Sequence, residues 1–145
     1  MQIVAFDFGT KKIGVAVGQT ATYTSSPLQV VLNKDDKVNW NEISTLLNEW
    51  KPELIIIGKP LNMDGTDSEI MKQVERFYQK LKKIYDTNYE YIDERLTTFE
   101  ARQILEDTNI NNVDANAAKI LIDNWFEMNF LILEIYLLLV NIVLF

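Results

Sequence analysis

Apolar residues occupy both sides of an extended reading of the first eight positions. Val4, Phe6 and Phe8 fall on one side, and Ile3, Ala5 and Asp7 on the other. A strand over residues 2–8 with two apolar faces is a central strand, and Asp7 is the lone carboxylate in it. Gly9-Thr10-Lys11-Lys12 predicts a turn into a second strand at 13–18, giving a hairpin. A third strand is expected at Leu28–Leu32, introduced by the breaker Ser25-Ser26-Pro27. Trp40, Ile43, Leu46, Leu47 and Trp50 recur at helical spacing until Pro52. The continuous run Leu54-Ile55-Ile56-Ile57-Gly58 then reads as a strand buried on both faces.

Residues 59–67 read as loop. Thr66 and Glu69 stand in a capping-box relation ahead of Ile70, Val74, Phe77, Leu81 and Ile84, which predicts a second helix. Tyr89–Asp93 reads as a fifth strand. Thr97 with Glu100 forms another capping box ahead of a short helix through Ala101, Ile104 and Leu105, and a last helix starts near Asp114. The order is βββαβαβαα. Three strands by hairpin and meander, then two that each follow a helical crossover, predict an α/β fold with a mixed five-stranded sheet flanked by helices.

With 145 residues the chain is one ordinary domain, and no internal repeat or low-complexity linker divides it. The net charge of -7 and pI near 4.6 argue against coating nucleic acid by bulk electrostatics, though not against a local basic patch. With no cysteine or histidine, a disulfide framework, a thiolate metal site and imidazole chemistry are all excluded. Any metal must sit on oxygen, which selects hard ions such as Mg²⁺ or Mn²⁺. The N-terminus opens straight into a strand pattern, so no secretory signal is expected and the cytoplasm is the default address.

Asp7, the run Asp93-Glu94-Arg95 and Asp114 are acidic positions at element ends. Ligands in open α/β sheets bind just beyond strand C-termini, so Asp7 and Glu94 face one crevice if the first and fifth strands share direction. Asp93 and Glu94 point to opposite faces, so one of them joins such a cluster. Divalent cations would let converging carboxylates stay ionised, and two-metal phosphodiester hydrolysis needs no His, Cys or covalent nucleophile. Each acid also has an ordinary reading: Asp7 caps the turn, Asp114 caps its helix, and Asp93-Glu94-Arg95 is a solvated turn. Lys11, Lys12, Lys59 and Arg95 lie toward the same sheet edge, where they would contact phosphates or simply face solvent.

Four blocks then coincide in order and spacing: Ala5-Phe6-Asp7-Phe8-Gly9-Thr10-Lys11-Lys12-Ile13-Gly14-Val15-Ala16, Ile57-Gly58-Lys59-Pro60-Leu61-Asn62-Met63-Asp64-Gly65-Thr66, Ile92-Asp93-Glu94-Arg95-Leu96-Thr97-Thr98 and Val113-Asp114-Ala115-Asn116-Ala117-Ala118. Over residues 1 to about 129 the chain resembles the YqgF/RuvX family of bacterial nucleases. The resemblance implies an RNase H-like fold and a cytoplasmic, metal-dependent nuclease. It also implies either 5′-end maturation of precursor 16S rRNA or resolution of branched, four-way DNA. The family's acidic positions fall on Asp7, Glu94 and Asp114 as metal-binding and catalytic residues. Between Glu94 and Asp93 the carry-over stays open, because related nucleases of this fold place their second acid elsewhere.

Asp7-Phe8-Gly9 also matches the kinase metal-binding triplet, but no Gly-rich loop or catalytic-loop signature precedes it. The turn likewise looks like the first phosphate hairpin of actin-like ATPases, which need two such domains. The alternative of another class is a non-catalytic RNA- or ribosome-binding module on the same fold. In either reading a monomer or homodimer is expected.

From Phe130 the chain is almost wholly apolar, interrupted by Glu134 and Asn141, and the resemblance does not extend into it. A domain of residues 1–129 with an apolar tail of 130–145 is the expected division. Sixteen residues of helix span about 24 Å, short of the ~30 Å hydrocarbon core, and no Lys or Arg follows Lys119. A membrane anchor is therefore not expected. Packing of the tail on the domain or on a second copy is, and a shifted reading frame near the natural end would also account for it.

Overall fold

A computed structural model describes residues 1–94 and 113–144, the first two of the latter group as backbone only. The five strands are β1 (Gln2–Phe8), β2 (Lys12–Gln19), β3 (Thr24–Leu32), β4 (Leu54–Lys59) and β5 (Asn88–Asp93). The helices are α1 (Trp40–Trp50), α2 (Met71–Ile84) and α3 (Val113–Leu144). They form one sheet of order β3-β2-β1-β4-β5. β1 is central, antiparallel to β2 and parallel to β4, and β4 is parallel to β5. The shared direction of β1 and β5 on which a common crevice depends is therefore present. The Thr97/Glu100 capping box, the helix through Ala101 to Leu105 and Arg95 lie outside the described residues.

The two apolar faces of β1 each have a cover. Val4 and Phe6 join Ile43, Leu47, Ile55, Ile57, Val74, Phe77 and Leu81 in a core between the sheet and α1 and α2. Phe77 ties this layer together, its ring 5.4 Å from Phe6, 5.2 Å from Phe8 and 5.3 Å from Trp40. Ile3 and Ala5 join Ala16, Leu54, Ile56, Ile92, Ala118, Leu121, Ile122 and Phe126 in a second core under α3. That helix lies hard against β2: a Cβ on Gly18 would stand 2.8 Å from Ile122 Cγ2. Glycine permits the close approach, and the buried Ile122 side chain contributes about 1.5–3 kcal/mol of apolar burial.

Two local expectations change. β3 starts at Thr24 and runs through Pro27, which pairs with Ala16 at a register shift. As the sheet's edge strand, β3 can hold a residue without an N–H. Thr66 does not cap α2, because its hydroxyl is spent on Asp64 Oδ1 at 2.6 Å, and α2 begins at Met71 without a side-chain cap. The Asn39 side chain instead caps α1, accepting from the Glu42 N–H at 3.2 Å, and Lys51 closes that helix with φ 47° ahead of Pro52.

The tail does not pack on the domain. α3 is docked as far as Phe126, but the hydrophobic side chains between Phe130 and Leu139 are between 48% and 63% exposed, and Ile142, Val143 and Leu144 between 71% and 83%. Among the described residues it is the one helix long and apolar enough to cross a membrane, over Ala115–Leu144.

Candidate active site

Strand pairing decides which acids share a face. Phe6 pairs with Ile57, so the next step of that register sets Asp7 beside Gly58. Gly58 pairs with Ile92, and Ile92 lies in the core under α3. Cross-strand partners point the same way and alternate residues return to a face, so Asp7, Gly58, Ile92 and Glu94 all look toward α3. The Glu94 side chain lies directly over Gly58. A Cβ built there would collide with its Oε1 and stand 3.1 Å from Cδ and 3.2 Å from Cγ. Asp7 and Glu94 thus flank one bare patch of backbone at the C-terminal edge of the parallel strands. Asp93 pairs with Lys59 and by alternation turns to the opposite face.

The direction of α3 follows from contacts at its far end. Ile122 covers Gly18, Ser25 donates a short hydrogen bond to Asp123, Trp125 Nε1 donates to Glu90 at 2.7 Å, and Phe126 meets the Tyr23 ring at 5.4 Å. Gly18, Ser25 and Tyr23 lie at the end of the sheet opposite Asp7, and Glu90 is level with Ala5 at its middle. Asp114 sits eight residues before Ile122, about 12 Å back along the helix. Asp7 is four residues beyond Ile3, the partner of Gly18, about 13 Å along its strand. The first turn of α3 is therefore level with Asp7, above the face that Asp7 and Glu94 share. The backbone N–H groups of a first helical turn have no partner within the helix and, with its dipole, favour anions. The side chain of Asp114 lies outside the described residues, and among the described residues no group of three metal-ligating side chains assembles.

Of the candidate cations, Lys11 is exposed in the β1–β2 turn and Lys12 is half-buried at the start of β2, both beyond the C-terminal end of β1. Lys59 ends β4 at the same edge but on the other face, its Nζ 5.8 Å from the centroid of Tyr91. Burial there, with Tyr78 and Glu75 nearby, pushes the Tyr91 phenol up to about 12. A groove of ≈ 560 Å³ on that second face reaches Phe8, next to Asp7 in sequence, and runs along α2 past Trp40, Lys72, Arg76 and Lys80. The contact between Gly58 and Glu94 has no single-residue signal in the sequence. The cations of α2 do have one, a spacing of four, four and three along the helix.

The family model described as "RuvX: Holliday junction resolvase" matches residues 1–128. A relative from Photorhabdus laumondii subsp. laumondii, named "Putative pre-16S rRNA nuclease", is 42% identical over 134 residues, spanning 88% of this chain and 96% of its own. A relative of the same name from Aeromonas salmonicida is 40% identical over 131 residues, 86% of this chain and 94% of its own. Among solved structures, Thermus thermophilus RuvC in complex with a Holliday junction substrate superimposes with a TM-score of 0.58 at 11% identity, covering 89% of this chain and 96% of that one. The fowlpox virus Holliday junction resolvase gives 0.54 at 12% identity, covering 88% and 99%. The fold is that of the RuvC resolvases, RNase H-like.

Proposed function

We propose, from the premise that this chain belongs to the RuvX family, that it is a nuclease hydrolysing phosphodiester bonds in structured nucleic acid at the edge of the sheet between Asp7 and Glu94. The observation that carries the reading is the Glu94 side chain folded over Gly58 on the face of Asp7, with the first turn of α3, and Asp114 in it, level with them. Precursor 16S rRNA is the favoured substrate, in keeping with the names of the relatives, and four-way DNA is the second.

The donor set suits a hard divalent cation: carboxylate oxygens at one sheet edge, in a chain with neither Cys nor His. Asp7, Glu94 and Asp114 would hold Mg²⁺ or Mn²⁺, which when bound would supply charge stabilisation for the scissile phosphate and a nucleophile at neutral pH. The chain's own part is positional. Asp7 is fixed on the central strand, paired on both sides, so its carboxylate has little freedom to drift. Glu94 leans on bare backbone, which brings its oxygens over β4 and toward Asp7. The N-terminal turn of α3 contributes N–H groups and a favourable dipole to a bound phosphate. Lys11, Lys12 and Arg95 are assigned to the flanking phosphates.

The test is cleavage of a precursor 16S 5′-leader RNA and of a four-way DNA junction by wild type and Asp7→Asn, in Mg²⁺ and in Mn²⁺. Wild type cuts the RNA, and Asp7→Asn loses at least about a hundred-fold in rate while its melting temperature holds. Full cleavage by Asp7→Asn in Mn²⁺ would refute the site. A wild type that binds the RNA and never cuts it would make the protein a binding module.

A further inference from the structure

The exposed side of α2 departs from the charge balance of the chain. The protein carries 14 Lys and Arg against 21 Asp and Glu, yet α2 alone holds Lys72, Arg76, Lys80, Lys82 and Lys83 with a single acid, Glu75. Lys72, Arg76, Lys80 and Lys83 recur at helical spacing on the solvent side, all four exposed. No ion pair to any of them is found among the described residues. A solvated helix usually intersperses opposite charges at a spacing of four, whereas Lys72, Arg76 and Lys80 stand as successive like-charged neighbours, which destabilises an isolated helix. The row also borders a built groove rather than bare solvent. The groove runs from Phe8 along Trp40 and Phe77, with Lys80 Nζ 5.1 Å above the Trp40 ring. Glu69, Asp36 and Glu75 also line this surface, too few to neutralise it.

We propose that this row of Lys72, Arg76, Lys80 and Lys83 is a phosphate-tracking surface that holds the sugar-phosphate backbone of a base-paired RNA outside the carboxylate crevice. The inference rests on the nuclease reading and supplies what that reading lacks, a grip on a polyanion by an acidic protein. From Lys72 to Lys83 the helix rises about 16.5 Å, the length of about five phosphates of one strand. The groove meets the sheet edge at Phe8, one residue from Asp7, so a strand leaving the crevice passes over that edge onto α2. The other face is closed to it by α3.

The experiment measures binding of a fluorescein-labelled RNA hairpin in EDTA, where no cleavage occurs, from 50 to 200 mM salt. The full chain is compared with the quadruple variant Lys72→Gln, Arg76→Gln, Lys80→Gln, Lys83→Gln. A control variant, Lys34→Gln, Lys37→Glu, Lys51→Gln, carries the same change in net charge at exposed positions elsewhere. All four α2 positions are exposed, so the variant keeps the melting temperature of wild type or rises slightly as like charges are removed. Each phosphate neutralised by the protein contributes about 0.7–0.9 to the slope of log affinity against log salt. Removing four such cations therefore flattens the slope by about 3, and a fourfold rise in salt weakens wild type about 50- to 150-fold more than the α2 variant. An α2 variant whose slope matches wild type, or whose slope changes no more than the control's, overturns the proposal and leaves the nuclease reading standing. A wild type that binds no hairpin at 50 mM salt overturns both.

Discussion

Gly58→Ala separates what the crevice needs from what the fold needs. Gly58 is buried in β4 and lacks the positive φ of Gly65 (89°), so alanine meets no backbone strain there. The three nearest atoms all belong to the Glu94 side chain: Cδ at 3.1 Å and Cγ at 3.2 Å fall inside ordinary contact of 3.4–4 Å, and Oε1 is closer still. To restore normal packing the carboxylate must withdraw by about 1 Å. Because the obstructing atoms end a flexible side chain, that movement costs the fold little. Fewer unfolded conformations for alanine give back about 0.4–1 kcal/mol, a rise in melting temperature of about 1–4 °C. Activity moves the other way. A 1 Å misplacement in a positioned site costs on the order of 100-fold, about 2.7 kcal/mol of barrier. The assay is single-turnover cleavage of the leader RNA alongside a thermal melt, for Gly58→Ala, Glu94→Gln and the double variant. If Glu94 carries the effect, the double variant is no slower than Glu94→Gln alone. Full activity in Gly58→Ala would refute the reasoning. So would a fall of more than about 5 °C, because the residue would then be serving the fold.

Two further outcomes follow from burial and titration. Deleting residues 130–145 removes a stretch whose described side chains, Phe130 to Leu144, are exposed apart from a half-buried Val140, so melting temperature and cleavage stay as in the full chain while aggregation decreases; a truncated chain that fails to fold would show that the tail supports the sheet. Burial raises the phenols of Tyr89 and Tyr91, Tyr89 above the ordinary range and Tyr91 to about 12, and the Tyr89 hydroxyl donates to the carbonyls of Leu81 and Tyr85 at 3.0 and 2.7 Å. The folded state thus prefers the neutral phenol, so this stability is complete below pH 10 and is lost as pH rises from 10 through 12. Melting temperature followed from pH 8 to 12 should fall above 10 in wild type and fall less in Tyr91→Phe; equal profiles would contradict the assignment.

The sheet was legible because its signals are local. Alternation in Gln2–Phe8 and the run Leu54–Ile57 state how many faces each strand buries, and Trp40 to Trp50 and Ile70 to Leu81 state which stripe each helix hides. The misses occurred where a local rule met a competitor. Thr66 has the spacing of a cap, but Asp64 lies closer in the chain and takes its hydroxyl, so the loop closes on itself before α2 begins. Pro27 has the chemistry of a breaker, but at the outer edge of the sheet no partner strand asks for its N–H. The apolar tail carries the composition of a buried helix. By Phe126, however, α3 has reached the end of the sheet, and both faces are already covered.

The site is harder to read because it depends on parity across strands distant in sequence. Asp93 and Glu94 are equally good acids at the end of β5, and alternation guarantees only that they face opposite ways. Choosing between them needs the register Phe6–Ile57 and Gly58–Ile92, two pairings across helical crossovers that no local pattern encodes. A slip of one residue in either pairing would exchange Asp93 for Glu94 on the face of Asp7. Ile92 makes such a slip costly. In the present register it is 3% exposed in the core under α3, while Tyr89 and Tyr91 pack toward α2; a slip would drive a tyrosine under α3 and Ile92 out from beneath it. The apolar residues of β5 thus select the acid. Glu94 reaches the crevice because Ile92, two residues earlier, has only one face on which it can be buried.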